Sequence, residues 1–315
     1  MYKKMYKRII LPIIINLFLA SNAYSFAAFD FKAKYPHMDG CKTKPCSCSC
    51  YDPYEPRVFA QNGTDKGICL DTCTMRSLTI LEGKEKKKFS DNENEMVIAN
   101  IKHNGTFYVG KIDPQKIKEI IYQVDWFGIW PQGHGQLCFV FNEDIDLIPQ
   151  LTDTDQTKIS KVKKLVFSIH GTTIPNKQMN FQTAMNSEIT TIYMLGSLSD
   201  DIDFAVAQKK HTIEQHLLNV TFNEKPIIFR NLMTHSNNIG YSRIFNLTDN
   251  NCVSELFKVL DNSFNQMHTK INELMKTDIS RFMPSEVANY FRKLGIYSIR
   301  LPDINPVNYK FINYN

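Results

Sequence analysis

Past its first twenty residues the 315-residue chain holds no stretch approaching the roughly 20 consecutive apolar residues that cross a bilayer as a helix, so no integral membrane segment is expected once the leader is gone. There is no internal repeat, which excludes a repeat architecture. Metal-ligand spacing is missing too. His211, His216, His235 and His268 share no pattern with carboxylates and read as surface residues, so neither a metal nor a cofactor is expected. A basic surface is also lacking. Lys3, Lys4, Lys7 and Arg8 lie in the leader, and their removal takes the formal charge from +5 to about +1, which leaves nothing that argues for nucleic acid. The run Lys84-Glu85-Lys86-Lys87-Lys88 is followed by Asp91, Glu93 and Glu95 and reads as a solvated, charge-balanced loop.

What is present begins with a signal peptide. Four cations precede an apolar run over residues 9–20, and Ser21-Asn22-Ala23 supplies small residues for cleavage. The mature protein is expected to start near Tyr24 or Ala28 and to be periplasmic or secreted. Six of the eight cysteines, Cys41, Cys46, Cys48, Cys50, Cys69 and Cys73, crowd behind this leader. In a cytosolic protein they would invite zinc. Outside the cytoplasm they read as a disulfide framework with open connectivity, since six cysteines allow about 15 pairings.

Residues 29–94 show no sustained helical or strand period. From residue 96 the texture changes: apolar, β-prone runs at 96–101 and 106–112 flank Asn104-Gly105, a hairpin turn signal. Asp113 then caps a short helix with Pro114 at its first position. Leu137, Phe139 and Phe141 alternate with His134, Gln136, Cys138 and Val140 as in a strand with one core face. Val162, Leu165, Phe167 and Ile169 mark a second strand. Asn223, Glu224 and Pro226 start a helix that carries Ile227, Ile228, Leu232 and Met233 toward a core. Apolar residues from Val253 to Met275 recur at spacings of three and four, predicting a long amphipathic helix that begins at Cys252. Pro284 starts another helix, Gly295 stops it, and residues 296–301 read as a last strand.

Cys252 follows Thr248-Asp249-Asn250-Asn251, a run of capping residues, which places its thiol in the first helical turn. The free N–H groups and the helix dipole there favour a thiolate. Its natural base is His134, whose neighbours Gly133 and Gly135 leave room for backbone and substrate. Alternatively Cys252 is a small buried residue or the disulfide partner of Cys138. Cys138 lies about 13 Å along the strand from His134, so one thiol does not serve both partners.

The series Trp130-Pro131-Gln132-Gly133-His134-Gly135-Gln136-Leu137, then Phe167-Ser168-Ile169-His170-Gly171, then Tyr241-Ser242-Arg243-Ile244-Phe245-Asn246 running on to Cys252, resembles the Lnb N-terminal periplasmic domain family of bacterial envelope proteins. That family is similar to circularly permuted papain-like enzymes of the NlpC and lecithin:retinol acyltransferase type. The resemblance implies His134 as base and Cys252 as nucleophile. It also implies a third, histidine-orienting residue on the strand after the histidine strand, here His170, with Ser168, Gln136 or Asp249 as substitutes. The expected fold is therefore α+β: a permuted papain-like domain over residues 96–302 with an antiparallel sheet and a long helix. A signal peptide (1–23) and a disulfide-tied region (24–95) precede it, and a tail (303–315) follows. The expected function is acyl transfer or hydrolysis of an amide- or ester-bearing substrate, whether peptide, cell wall or lipid, through a thioester on Cys252. The alternative is a non-enzymatic envelope binding or assembly protein in which Cys252 is structural or bonded to Cys138.

Overall fold

The computed structural model describes residues 46, 48, 49, 51–127, 133–152, 158–177, 183, 189–246, 250–263, 284–293 and 295–312. The expected signal peptide, Cys41, Cys50, Trp130 to Gln132, Asp249, His268 and the part of the long helix beyond residue 263 lie outside them.

The protein is mixed α+β with a core dominated by one nine-stranded sheet. Strands β2 (Met96–His103) and β3 (Thr106–Ile112) form the expected hairpin. Asn104 and Gly105 turn it with φ of 48° and 72°, the left-handed backbone that Asn-Gly adopts at least cost. Asp113 caps the next turn, its carboxylate accepting from the Gln115 N–H at 2.9 Å, with Pro114 at the first position as expected. β4 (Ile117–Trp126) follows, then the 17-residue β5 (Gly133–Pro149), β6 (Ser160–Thr172) and β7 (Thr190–Ser197). β8 (Thr212–Leu218) and β9 (Tyr297–Ile304) extend the edge beyond β4.

β5 is long enough to serve two neighbours on one side. Its first half pairs with β4 and its last residues pair with β3, while β6 takes its other side. β7 pairs with β6 and then, in parallel, with β2 through Ile101↔Leu195 and Lys102↔Gly196. The path β2-β3-β5-β6-β7 thus returns to β2 and closes a five-strand circuit.

Alternation along β5 sends Leu137, Phe139 and Phe141 to one face, as expected. On that face pack α3 (Glu224–Ile239), α4 (Cys252–Ser263) and α5 (Val287–Lys293) through Phe229, Leu232, Leu256, Phe257 and Phe291. Ile228, Leu232 and Met233 of α3 are buried as expected, whereas Ile227 is 48% exposed, one step round the helix from the core. The opposite face buries Cys138, Val140 and Val166 under α2 (Leu198–Ile202) and a π-helical turn, Asp203–Gln208.

The N-terminal region carries two disulfides, Cys46–Cys69 and Cys48–Cys73, which fit an oxidising compartment. It also contains regular structure that its composition hides. β1 (Thr79–Leu81) pairs with β2, and the charged run expected to be a loop forms a helical turn, α1 (Gly83–Lys87). A buried polar cluster ties this region to the sheet. Arg76 pairs with Asp52 and lies over the Phe107 ring, while Gln150 Nε2 donates to Asp52 and to Asn100 at 3.0 and 3.1 Å. Among the described residues no helix is long and apolar enough to cross a membrane.

Candidate active site

α4 begins where the capping run predicts. Asn251 Oδ1 accepts from the N–H groups of Val253 and Ser254, both at 2.9 Å, which fixes Cys252 as the first helical residue. The segment before it is pinned to the sheet. Thr191 N–H donates to Arg243 O at 2.8 Å and Phe245 N–H to Ile189 O at 2.9 Å. Asn250 Nδ2 reaches Ile244 O at 2.7 Å, and Ser77 N–H donates to Tyr241 Oη at 2.9 Å.

Glu255 on α4 completes the attachment. Its fully buried carboxylate accepts from Tyr193 Oη (2.8 Å), Lys258 Nζ (2.5 Å) and Arg243 Nη1 (2.7 and 2.6 Å), with His235 3.9 Å away. Burial pushes the carboxyl up, but His235, Lys258 and Tyr193 outweigh it and bring the pKa down to about 2. The Tyr-Ser-Arg motif thus works as the mount of the Cys252 helix.

His134 enters from the second residue of β5. Its neighbours are glycines for a reason specific to this site. A Cβ on Gly133 would stand 3.0 Å from Val124 Cγ1 and 3.2 Å from the Trp126 ring, and one on Gly135 would stand 2.7 Å from Tyr122 Oη and 3.3 Å from Val253 Cγ2. The close approach lets the imidazole and the Cys252 thiol hydrogen-bond. Burial raises the thiol pKa. The His134 charge, that hydrogen bond and the N–H groups of Gly135 and Val253 overcome it, so the net shift is downward. Burial likewise presses the His134 pKa down, and Cys252, Asp125 and Asp201 turn the net shift upward. Each partner therefore favours the charged form of the other.

The structure brings His170 to the site, but not as an in-line partner. Its ring stacks on His134 with centroids 4.3 Å apart and planes 23° from parallel, and its Nε2 lies 2.8 Å from Ser168 Oγ. Burial, then the neighbouring His134 and Lys102 charges, hold its pKa well below the ordinary value. His134 Nε2 has no hydrogen-bond partner among the described residues.

Cys138 and Cys252 are both free thiols, so the bridge between them is not formed. They belong to cores on opposite faces of the sheet. Cys138 lines a groove of about 690 Å³ with Val140, Leu198 and Leu301, and burial pushes its pKa to about 12, which leaves it a poor nucleophile.

Gln136, on the His134 face of β5, is the start of a polar ladder the sequence did not disclose. Its Nε2 donates to Asp201 Oδ2 at 2.8 Å and to Gln123 Oε1 at 3.1 Å, and Gln123 Nε2 donates to Gln215 Oε1 at 3.0 Å. Asp201 is pushed up to about 7, chiefly by burial. Three histidines read as surface residues are also engaged. His216 is buried with Nε2 2.7 Å from Glu214, His211 Nδ1 lies 2.9 Å from Asp125, and His235 faces Glu255. His211 and His235 are defined by carboxylates from other segments, which no local pattern marks, whereas the partner of His216 is two residues away on its own strand. Among the described residues the group whose ligand atoms lie close enough for a metal is Cys48, Glu55 and Cys73, whose two sulfurs are joined in a disulfide. No protein family, curated protein or solved structure matches this chain.

Proposed function

We propose that this protein is an exported cysteine hydrolase or acyltransferase, periplasmic or secreted, with a permuted papain-like domain and with Cys252 as nucleophile and His134 as general acid and base. One observation carries the reading. A free thiol at a helix N-terminus hydrogen-bonds an imidazole, and its pKa falls despite burial. A structural buried cysteine moves the other way, as Cys138 does.

The Cys252 thiolate attacks the carbonyl carbon of an amide or ester, and the carbonyl electron pair moves to oxygen. N–H groups at the start of α4 and at Gly135 lie nearest to hold that oxyanion. Collapse of the intermediate breaks the bond to the amine or alcohol, which leaves with the proton from the His134 imidazolium, and Cys252 keeps the acyl group as a thioester. Water or another acceptor then gives a proton to His134 and attacks the thioester, which restores the thiolate and imidazolium.

The test is the rate of iodoacetamide labelling of Cys252 against pH in the mature protein, with the labelled residue identified by mass spectrometry. Labelling is expected to be fast below pH 8, the range where an unperturbed thiol near 8.5 is mostly protonated, and to slow about tenfold or more in His134→Ala. Slow labelling that ignores His134 would overturn the reading.

A further inference from the structure

We infer that Asp125, held by His211 on the strand beside His134, is the positioning carboxylate that orients the His134 imidazole and stabilises its charged form. The inference rests on the Cys252–His134 reading and deepens it. It differs from the expectation that the third residue comes from β6.

Strand register carries the argument. Asp125 and His134 are directly opposed in the β4–β5 pair, and opposed residues of an antiparallel pair have Cβ atoms about 4.5–5.5 Å apart on the same face of the sheet. The Asp125 carboxylate is fixed in that place: His211 Nδ1 lies 2.9 Å from Oδ1 and 3.2 Å from Oδ2, and the Phe127 ring packs 5.8 Å from the His211 ring. The other groups that face His134 are placed or engaged differently. From β6, His170 offers the face of a ring whose Nε2 is engaged with Ser168. From α2, Asp201 takes the Gln136 amide at 2.8 Å, and burial pushes its pKa to about 7, which removes about half its charge there. From α4, Cys252 is the reacting group itself, and the Lys102 charge on β2 acts on His170. Asp125 adds to the upward pull on His134, in the direction this role requires.

The orphaned His134 Nε2 fits the same picture. A buried imidazole whose nitrogen lacks an in-plane acceptor is held by the stack against His170 on one side and by the opposed carboxylate on the other. The Asp125 charge then adds to the Cys252 charge and hydrogen bond in keeping the ring protonated and turned to the thiol.

The experiment follows the histidine Cε1 resonances of the mature protein, labelled with 13C-histidine, as a function of pH. His134 is assigned by its loss in His134→Gln. Asp125→Asn keeps the size of the side chain and an oxygen to accept from His211. It is expected to lower the His134 midpoint by about one pH unit while leaving His216 unmoved. Asp125→Glu, in which the charge stands one methylene away, is expected to lower it less and serves if the amide variant does not fold. An unchanged His134 midpoint in the folded variant overturns the inference. Fast, His134-dependent labelling of Cys252 together with an unmoved midpoint sinks this inference and leaves the catalytic reading standing. Slow, His134-independent labelling with a lowered midpoint does the reverse.

Discussion

Gly135 lacks a side chain because two groups already occupy the space, Tyr122 Oη and Val253 Cγ2, at 2.7 and 3.3 Å from where a Cβ would stand. Tyr122 is itself tethered, its hydroxyl donating to Pro284 O at 3.1 Å, so relief must come from the start of α4. Gly135→Ala is therefore expected to destabilise the fold by about 1–3 kcal/mol and to slow Cys252 labelling by pushing the thiol from the imidazole. A thermal melt and the alkylation rate check the two effects, and an alanine variant with wild-type values for both would refute the close-packing account. His134 and Cys252 were legible in the sequence because their signals are local: a glycine on either side, and a capping run before an amphipathic period. Asp125 and Asp201 were not, since each acquires its role from strand register or from a helix packed over the sheet. His211 and His235, misread as surface residues, failed for the same reason.

Helix α4 is fixed by a charge rather than by its apolar stripe alone. The Glu255 carboxyl has a folded pKa of about 2, below the unfolded value of about 4.3. Its stabilisation is therefore complete above about pH 4.3 and is lost as the pH falls toward 2, an effect of order 3 kcal/mol. Glu255→Gln is expected to cost about 2–3 kcal/mol at neutral pH and to flatten the acid limb of a stability-versus-pH curve built from urea titrations. The cost stays at the low end of that for breaking buried pairs because Arg243 and Lys258 remain 35% and 45% exposed and keep part of their hydration. At this scale the hairpin, β5, β6, α3 and the start of α4 followed from period and caps. β4 and β7 escaped because they are buried on both faces over most of their length, so no two-residue alternation is left to read. β8 escaped because its Gln215 and His216 are polar residues placed inside the sheet.

Across the molecule, the disulfides close loops whose ends are 23 and 25 residues apart, worth about 3 kcal/mol each in the unfolded chain. Removing one as the Cys46→Ser, Cys69→Ser pair is expected to lower the thermal midpoint by roughly 6–12 °C, read by calorimetry on the non-reduced protein. The Cys48–Cys73 bridge still closes the region, and Asn100, Gln150 and the β1–β2 pairing still tie it to the sheet, so Cys252 labelling should persist in that variant below its melting range. Loss of labelling there would mean that the N-terminal region shapes the site directly. Cysteine spacing revealed the framework but could not reveal that Thr79–Leu81 joins the sheet, because three residues are too few to show a period.

The parallel seam between β2 and β7 also sets a clock. Its two strands are separated by the whole of β3 to β6, and the seam pairs as few as Ile101 with Leu195 and Lys102 with Gly196. The hairpin and the β4–β5–β6 meander can zip from local turns, but the circuit waits for a distant strand whose contacts return little until loop-closure entropy has been met. A chain emerging N-terminus first thus leaves the Ile101–Lys102 end of β2, beyond the part β1 covers, without its β7 neighbour until residue 197 is free. Cys252, the proposed nucleophile, follows in sequence every strand of the circuit that holds His134, so under the proposed reading the pair can form only after those strands have been made.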